Sequence, residues 1–220
     1  KGQWIGVGAG PDAPWDPIKP AGRGQGAPLT PEYQKIFEAT LARYAEGARP
    51  PATCLPPGMP RSMIAYQPME IVITPNITYV ILTYMSEFRR IFTDGRKWSA
   101  DIEPAYTGYS VGTWEDTAKS GRYDTLVIET RGMKGSRTFD SSGIPLHKDN
   151  ETIVKERISL DKANPNLLHN EITTIDNALT GPWTVKRSYR RDRNAEWSEM
   201  VCSEDNRFVV IGTETYEVDG

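Results

Sequence analysis

The chain has 220 residues, 25% charged and 38% hydrophobic, with a formal net charge of −3 and a pI near 5.6. That balance suits one globular domain with a core and provides no basic footprint for nucleic acid. No apolar run reaches the ~18 residues of a transmembrane helix, and the abundance of Gly, Pro, Tyr and Trp is typical of secreted β proteins.

The opening KGQWIGVGAGPDAPWDP starts at Lys1 rather than Met and reads as a processed start. Residues 1–29 show no periodicity and predict an extended arm anchored by Trp4 and Trp15. GVGAG (6–10) is glycine-rich, but no strand–helix unit follows it, so a nucleotide loop is excluded. Residues 30–220 read as a single β-barrel domain that includes one helix, 31–47. Thr30 is its cap, Pro31 its first residue and Glu32 an acid at its positive end. Tyr33, Phe37, Leu41 and Tyr44 form an apolar stripe, and Gly47 with Pro50-Pro51 ends it.

CLPPGMPR (54–61) leaves the helix through three prolines that stiffen the crossing. Arg61 is then fixed near the barrel rim, either serving a site or bonding carbonyls to close the barrel. The two cysteines, Cys54 and Cys202, suit one disulfide in an exported chain or two buried thiols. A disulfide here would stabilise by roughly 4–5 kcal/mol in the chain-entropy model.

Beyond Cys54 the period falls to two. Strands are expected near 69–74, 77–92, 107–114, 124–130, 152–160, 167–176, 183–191, 196–202 and 207–216, separated by Gly, Pro and Asn turns. Many short strands beside one helix predict a mainly β fold, an antiparallel barrel with a lipocalin-like cup. Lys186, Arg187, Arg190, Arg191 and Arg193 read as a solvated strand end.

Alternation also puts charges on largely apolar faces. Glu87 and Arg89 share a face of 77–92, Glu129 one of 124–130, and Glu156 one of 152–160. If these faces are interior, three carboxylates and an arginine line the barrel. The arrangement suits acid–base chemistry or a structural ion network. His147 lies in a loop with Asp140 seven residues earlier, a candidate dyad, whereas His169 reads as a surface residue. Tyr106, Tyr109, Trp114 and Trp183 are candidate substrate-binding aromatics. Neither a zinc motif nor a GxSxG elbow is present, so no metal or cofactor is expected.

CLPPGMPR (54–61), EFRRIFTDGR (87–96), YTGYSVGTWE (106–115), DTLVIET (124–130), FDSSGIPLH (139–147), KER (155–157), ITTIDNALTGPWTVKR (172–187) and EMVCSEDN (199–206) follow in an order that resembles a large family of mostly uncharacterised, exported bacterial β-rich proteins. DTAKSGRY (116–123) departs from that family's pattern as a lengthened loop. The resemblance implies export to the periplasm or beyond, and a β-rich fold. It carries no established catalytic residues.

Taken together, these readings lead to a cofactor-independent lyase or isomerase acting on a hydrophobic or aromatic small molecule. His147 moves a proton and is oriented by Asp140. Glu87, Glu129 or Glu156 is the complementary acid or base, and Arg61 or Arg89 steadies negative charge. The alternatives are a lipocalin-like binding protein without turnover, and an envelope interaction protein that uses the arm. Oligomeric state is left open.

Overall fold

The computed structural model describes residues 2–7, 26–46, 48–49, 54–64, 67–99, 101–135, 137–194, 196–197, 199, 201 and 208–217. In chain order its elements are β1 (Gln3–Gly6), α1 (Pro31–Ala45), β2 (Ala48–Arg49), α2 (Arg61–Ile64), β3 (Met69–Ile73), β4 (Ile77–Leu82), a 3₁₀ turn (Tyr84–Ser86), β5 (Phe88–Phe92), β6 (Tyr109–Glu115), β7 (Thr125–Arg131), β8 (Ile153–Leu160), β9 (Leu167–Ile175), β10 (Trp183–Asp192), β11 (Phe208–Ile211) and β12 (Glu214–Glu217). The fold is mainly β. Nine strands close into a barrel in the order β1-β10-β9-β8-β7-β6-β5-β4-β3, and β11, β12 and β2 form a separate three-stranded sheet. Every barrel seam is antiparallel except β5–β6, which is parallel and short.

α1 starts where its N-cap and stripe put it and ends at Ala45 with Glu46 as its C-cap; Gly47, Pro50 and Pro51 lie outside the described residues. Thr30 Oγ1 accepts the Tyr33 amide hydrogen at 3.4 Å, and Tyr33 and Phe37 are buried. The expected arm is partly replaced. Gln3–Gly6 is a barrel strand between β10 and β3, with Trp4 opposite Arg191 on one side and Met69 on the other. Burial of the Trp4 indole and a full ladder to β10 give this short segment its place, although its sequence lacks strict alternation. Trp15 lies outside the described residues.

The expected single strand 77–92 is a hairpin. Met85 and Ser86 have φ of 58° and 48°, a left-handed pair that reverses the chain, and Ile81 pairs with Phe88. The two-residue period does not survive this turn. Thr78, Val80 and Leu82 point inward on β4, and Arg89 and Ile91 on β5; Ile81 does not share their face. The described residues between 196 and 201 form no strand, and 207–216 divides into the β11–β12 hairpin around Gly212.

Inward positions alternate through the remaining strands: Leu126, Ile128 and Thr130 on β7, Val154, Glu156 and Ile158 on β8, Leu168, Asn170 and Ile172 on β9. Outward positions carry Glu129, Arg131, Lys155, Arg157, Glu171 and Lys186; Arg131 pairs with Glu129 along β7, and Lys155–Glu129, Arg157–Glu115 and Lys186–Glu171 pair between strands. This is the reverse of the apolar outer band of a lipid-facing barrel. Among the described residues no helix is long and apolar enough to cross a membrane.

One end of the barrel is plugged. Met59, Met63, Phe37, Phe139, Ile144 and Trp183 fill it as part of the continuous core. The plug is carried by α1, α2 and the loop between β7 and β8. CLPPGMPR supplies its tightest joint. Gly58 has a φ of 65°, and a Cβ there would run into the Tyr106 carbonyl oxygen. The Ser62 amide donates to Gly58 O at 2.8 Å, which starts α2.

Candidate functional site

The other end of the barrel is open. A cup of about 460 Å³ is bounded by the turns β3–β4, β6–β7 and β8–β9 and by β1. Trp4, Val80, Trp114, Leu126, Ile158 and Leu168 form its apolar wall. Ile73, Tyr123 and Leu160 stand at its lip with 59%, 74% and 44% of their surface exposed. Apolar side chains exposed together around a concavity mark a binding surface rather than scattered surface residues.

The loop of residues 116–123 is built onto this lip. The Asp124 carboxylate accepts hydrogen bonds from the Thr117 amide and hydroxyl, the Ala118 amide and the Thr125 hydroxyl, at 2.7–3.1 Å. Those donors hold its carboxyl down at about 2. Asp116 in turn accepts from the Ser120 and Gly121 amides. Two carboxylates thus fold residues 116–123 into a compact turn that sets Tyr123 at the mouth.

Beneath the cup lies a buried polar layer. Arg89 Nη2 is 2.5 Å from Glu156 Oε2, with both side chains essentially sealed from solvent. Arg89 also donates to Ser110 Oγ at 3.0 Å and Thr130 Oγ1 at 2.6 Å, and Asn170 donates to Glu156 Oε1 at 2.9 Å. Nearby, the Tyr189 hydroxyl donates to Met63 O, and burial pushes its pKa up. Arg89 Nη1 is buried without a hydrogen-bond partner. None of these charged groups lines the cup.

Nearer the plug, Glu87 Oε2 is 2.6 Å from Ser62 Oγ, and Ser62 Oγ is 2.7 Å from Gly58 O. The Ser62 hydroxyl has one proton for these two acceptors, so it donates to one of them at a time. Burial pushes the Glu87 carboxyl up, opposed by Ser62 and the Arg89 charge. Asp140 is also buried and pushed up. It accepts from the Ser142 amide and hydroxyl through Oδ1, while Oδ2 has no hydrogen-bond partner. Arg61 donates to Thr138 Oγ1 at 3.2 Å and acts on Asp140 through charge alone.

Two expected arrangements need correction. Glu129 points outward, because its neighbours Ile128 and Thr130 take the inner face; it pairs with Arg131 and Lys155. His147 meets Asp149 rather than Asp140: its Nδ1 lies 2.8 Å from Asp149 Oδ2, and its ring packs on Tyr33. The turn after Leu146 brings Asp149 back within reach, whereas Asp140 is turned into the plug. The His147 amide donates to Asp176 Oδ1 at 2.8 Å, a buried carboxylate that also accepts from Thr152 and organises this loop. His169 is on the outer face, between Asp161 and Ser188.

Of the four candidate aromatics, Trp114 lines the cup. Trp183 stacks with Phe139 in the plug at 4.2 Å, Tyr109 packs outside against Phe92 and Trp98, and Tyr106 packs under Lys134. The cup's own residues Trp4 and Arg191 were hidden in an expected arm and an expected solvated strand end. The alternation Arg187, Tyr189, Arg191 on β10 was the signal available for the second. Cys202 lies outside the described residues, as does most of EMVCSEDN. Among the described residues no cluster of His, Cys, Asp or Glu could hold a metal ion.

In comparisons with protein-family models and with curated proteins, no family model and no curated protein matches the chain. The fold and the site define a closed nine-stranded barrel with an apolar cup at one end and a buried ionic layer beneath it.

Proposed function

We propose that this protein binds a hydrophobic or aromatic small molecule in the barrel cup without converting it. The observation that carries this reading is the apolar wall of the cup, whose lining carboxylate, Asp124, is held by four hydrogen-bond donors. Arg89, Glu156, Glu87 and Asp140 lie outside that lining. Reagents for proton transfer must come within hydrogen-bond reach of the reacting atom.

The test is titration with the neutral fluorophore N-phenyl-1-naphthylamine. Saturable binding at one site per chain is expected, weakened by Leu160→Glu and Ile73→Glu. Both residues are exposed, so neither change threatens the fold. Absence of saturable binding, or binding indifferent to both variants, rejects the reading.

A second reading, the cofactor-independent lyase or isomerase, is favoured by one observation: Glu87 and Asp140 are carboxyls pushed up by burial, the state a general acid requires. It predicts turnover that is lost in Asp140→Asn. Membership of the exported bacterial family, a periplasmic or secreted location and a Cys54–Cys202 disulfide complete the proposal. They are supported by the order of the motifs, the turn-rich composition and the even cysteine count.

A further inference from the structure

We infer that the cup's ligand is an anionic amphiphile, an apolar chain or ring system ending in one carboxylate or sulfonate that pairs with Arg191 at the mouth. The inference rests on the binding reading above and names the ligand's chemistry.

Arg191 is the cation in the cup lining. Its guanidinium lies over the Trp4 ring, 4.4 Å from the centroid, so the charge sits on the apolar wall rather than swinging free in water. β10 holds its backbone in place on both sides: Arg191 pairs with Trp4 on β1, and its amide donates to Asn166 O at 2.8 Å. No carboxylate among the described residues forms an ion pair with it, whereas Arg89, Arg96, Arg131 and Arg157 all have such partners.

The acid that shares the cup lining is Asp124. Its carboxylate accepts from three donors of the 116–123 loop and from the Thr125 hydroxyl on β7, which fixes it in place as part of the lip. An anion entering the cup therefore meets one positioned cation whose planar donors match a carboxylate. A purely apolar ligand would leave that guanidinium without an ionic partner at the edge of a dry wall. A cationic ligand would face it directly. The remaining wall, Val80, Trp114, Leu126, Ile158 and Leu168, suits the apolar body.

The probes are dodecanoate, dodecanol and dodecyltrimethylammonium, displacing N-phenyl-1-naphthylamine from the intact chain. Dodecanoate is expected to bind at least about fivefold tighter than dodecanol, and the cationic detergent weakest, with the gap narrowing as salt is raised. Arg191→Met keeps an apolar stem over Trp4 and should bring dodecanoate and dodecanol within about twofold of each other; Arg191→Lys should restore much of the gap. If the fluorophore and dodecanol bind but dodecanoate has no advantage, or keeps it in Arg191→Met, the headgroup inference fails and the cup reading stands. If none of the probes binds, the cup reading itself has failed.

Discussion

Arg89 and Glu156 meet inside the barrel at 2.5 Å, on strands β5 and β8 that are not neighbours in the sheet. The pair therefore ties opposite walls together, with Ser110, Thr130 and Asn170 supplying further polar contacts. Breaking one side strands a buried charge. Glu156→Gln should cost about 3–5 kcal/mol in urea unfolding, and Glu156→Leu with Arg89→Met should cost clearly less than the sum of the two single changes. Loss of under about 1 kcal/mol in Glu156→Gln would show that the pair is not a structural tie.

Glu87 gives the barrel a pH dependence of defined sign. Burial raises its folded pKa above the ordinary carboxyl value, so the folded state holds a proton that the unfolded state releases first. Its stabilising contribution is present in acid and fades as pH rises through the raised pKa. Asp140 acts in the same direction. Glu87→Gln should flatten the decline in Tm that sets in as pH rises above the ordinary carboxyl range. An unchanged pH profile would mean that Glu87 titrates like an exposed acid.

The carboxylates of the surface turns act oppositely. Asp94 and Asp124 are each held down at about 2, Asp94 by Arg96 and Asp124 by the Thr117 and Thr125 hydroxyls. Their support is present above the ordinary carboxyl range and is lost as pH falls toward 2. Asp124→Ala should open the 116–123 loop at every pH. Trypsin should then cut at Lys119 and Arg122 faster than in the parent chain, while the barrel's unfolding midpoint moves little. Equal cutting rates would contradict the account of this loop.

Gly58 tests the tight joint. A Cβ there would collide with the Tyr106 carbonyl oxygen, and the backbone is left-handed. Gly58→Ala should destabilise by about 2 kcal/mol or more, well beyond a helix-propensity change. Gly95 also has a positive φ of 77°, but a Cβ there meets nothing within 4 Å, so Gly95→Ala is the control and should cost less.

The Cys54–Cys202 link is tested by alkylating the unfolded, unreduced chain. No free thiol is expected, and reduction should lower stability by roughly 4–5 kcal/mol. Two alkylated cysteines before reduction would reject the link.

Much of the barrel was legible because its strands keep period two over five to ten residues. Leu168, Asn170 and Ile172 on β9 show it directly. The helix was legible from Thr30, Pro31 and its stripe. Two things were not. The reversal at Met85-Ser86 carries no Gly or Pro, so nothing local announced that Ile81 and Glu87 would end on different faces. Alternation alone also does not say which face is inside, and Glu129 and Glu156 read alike until the closed ring assigned one outward and one inward. The strand around Trp4 is illegible for a related reason: four residues are too few positions to show a period, and its place depends on partners far along the chain.

Those distant partners also make closure of the ring a non-local event. The ring closes only when Gln3–Gly6 slots between Met69 on one side and Trp183–Asp192 on the other. Without β1 between them, β3 and β10 both present unpaired edges. A chain halted before Trp183 would keep its cup wall exposed along an open sheet, so the quality of the finished site depends on a joint that neither of its two halves can form locally.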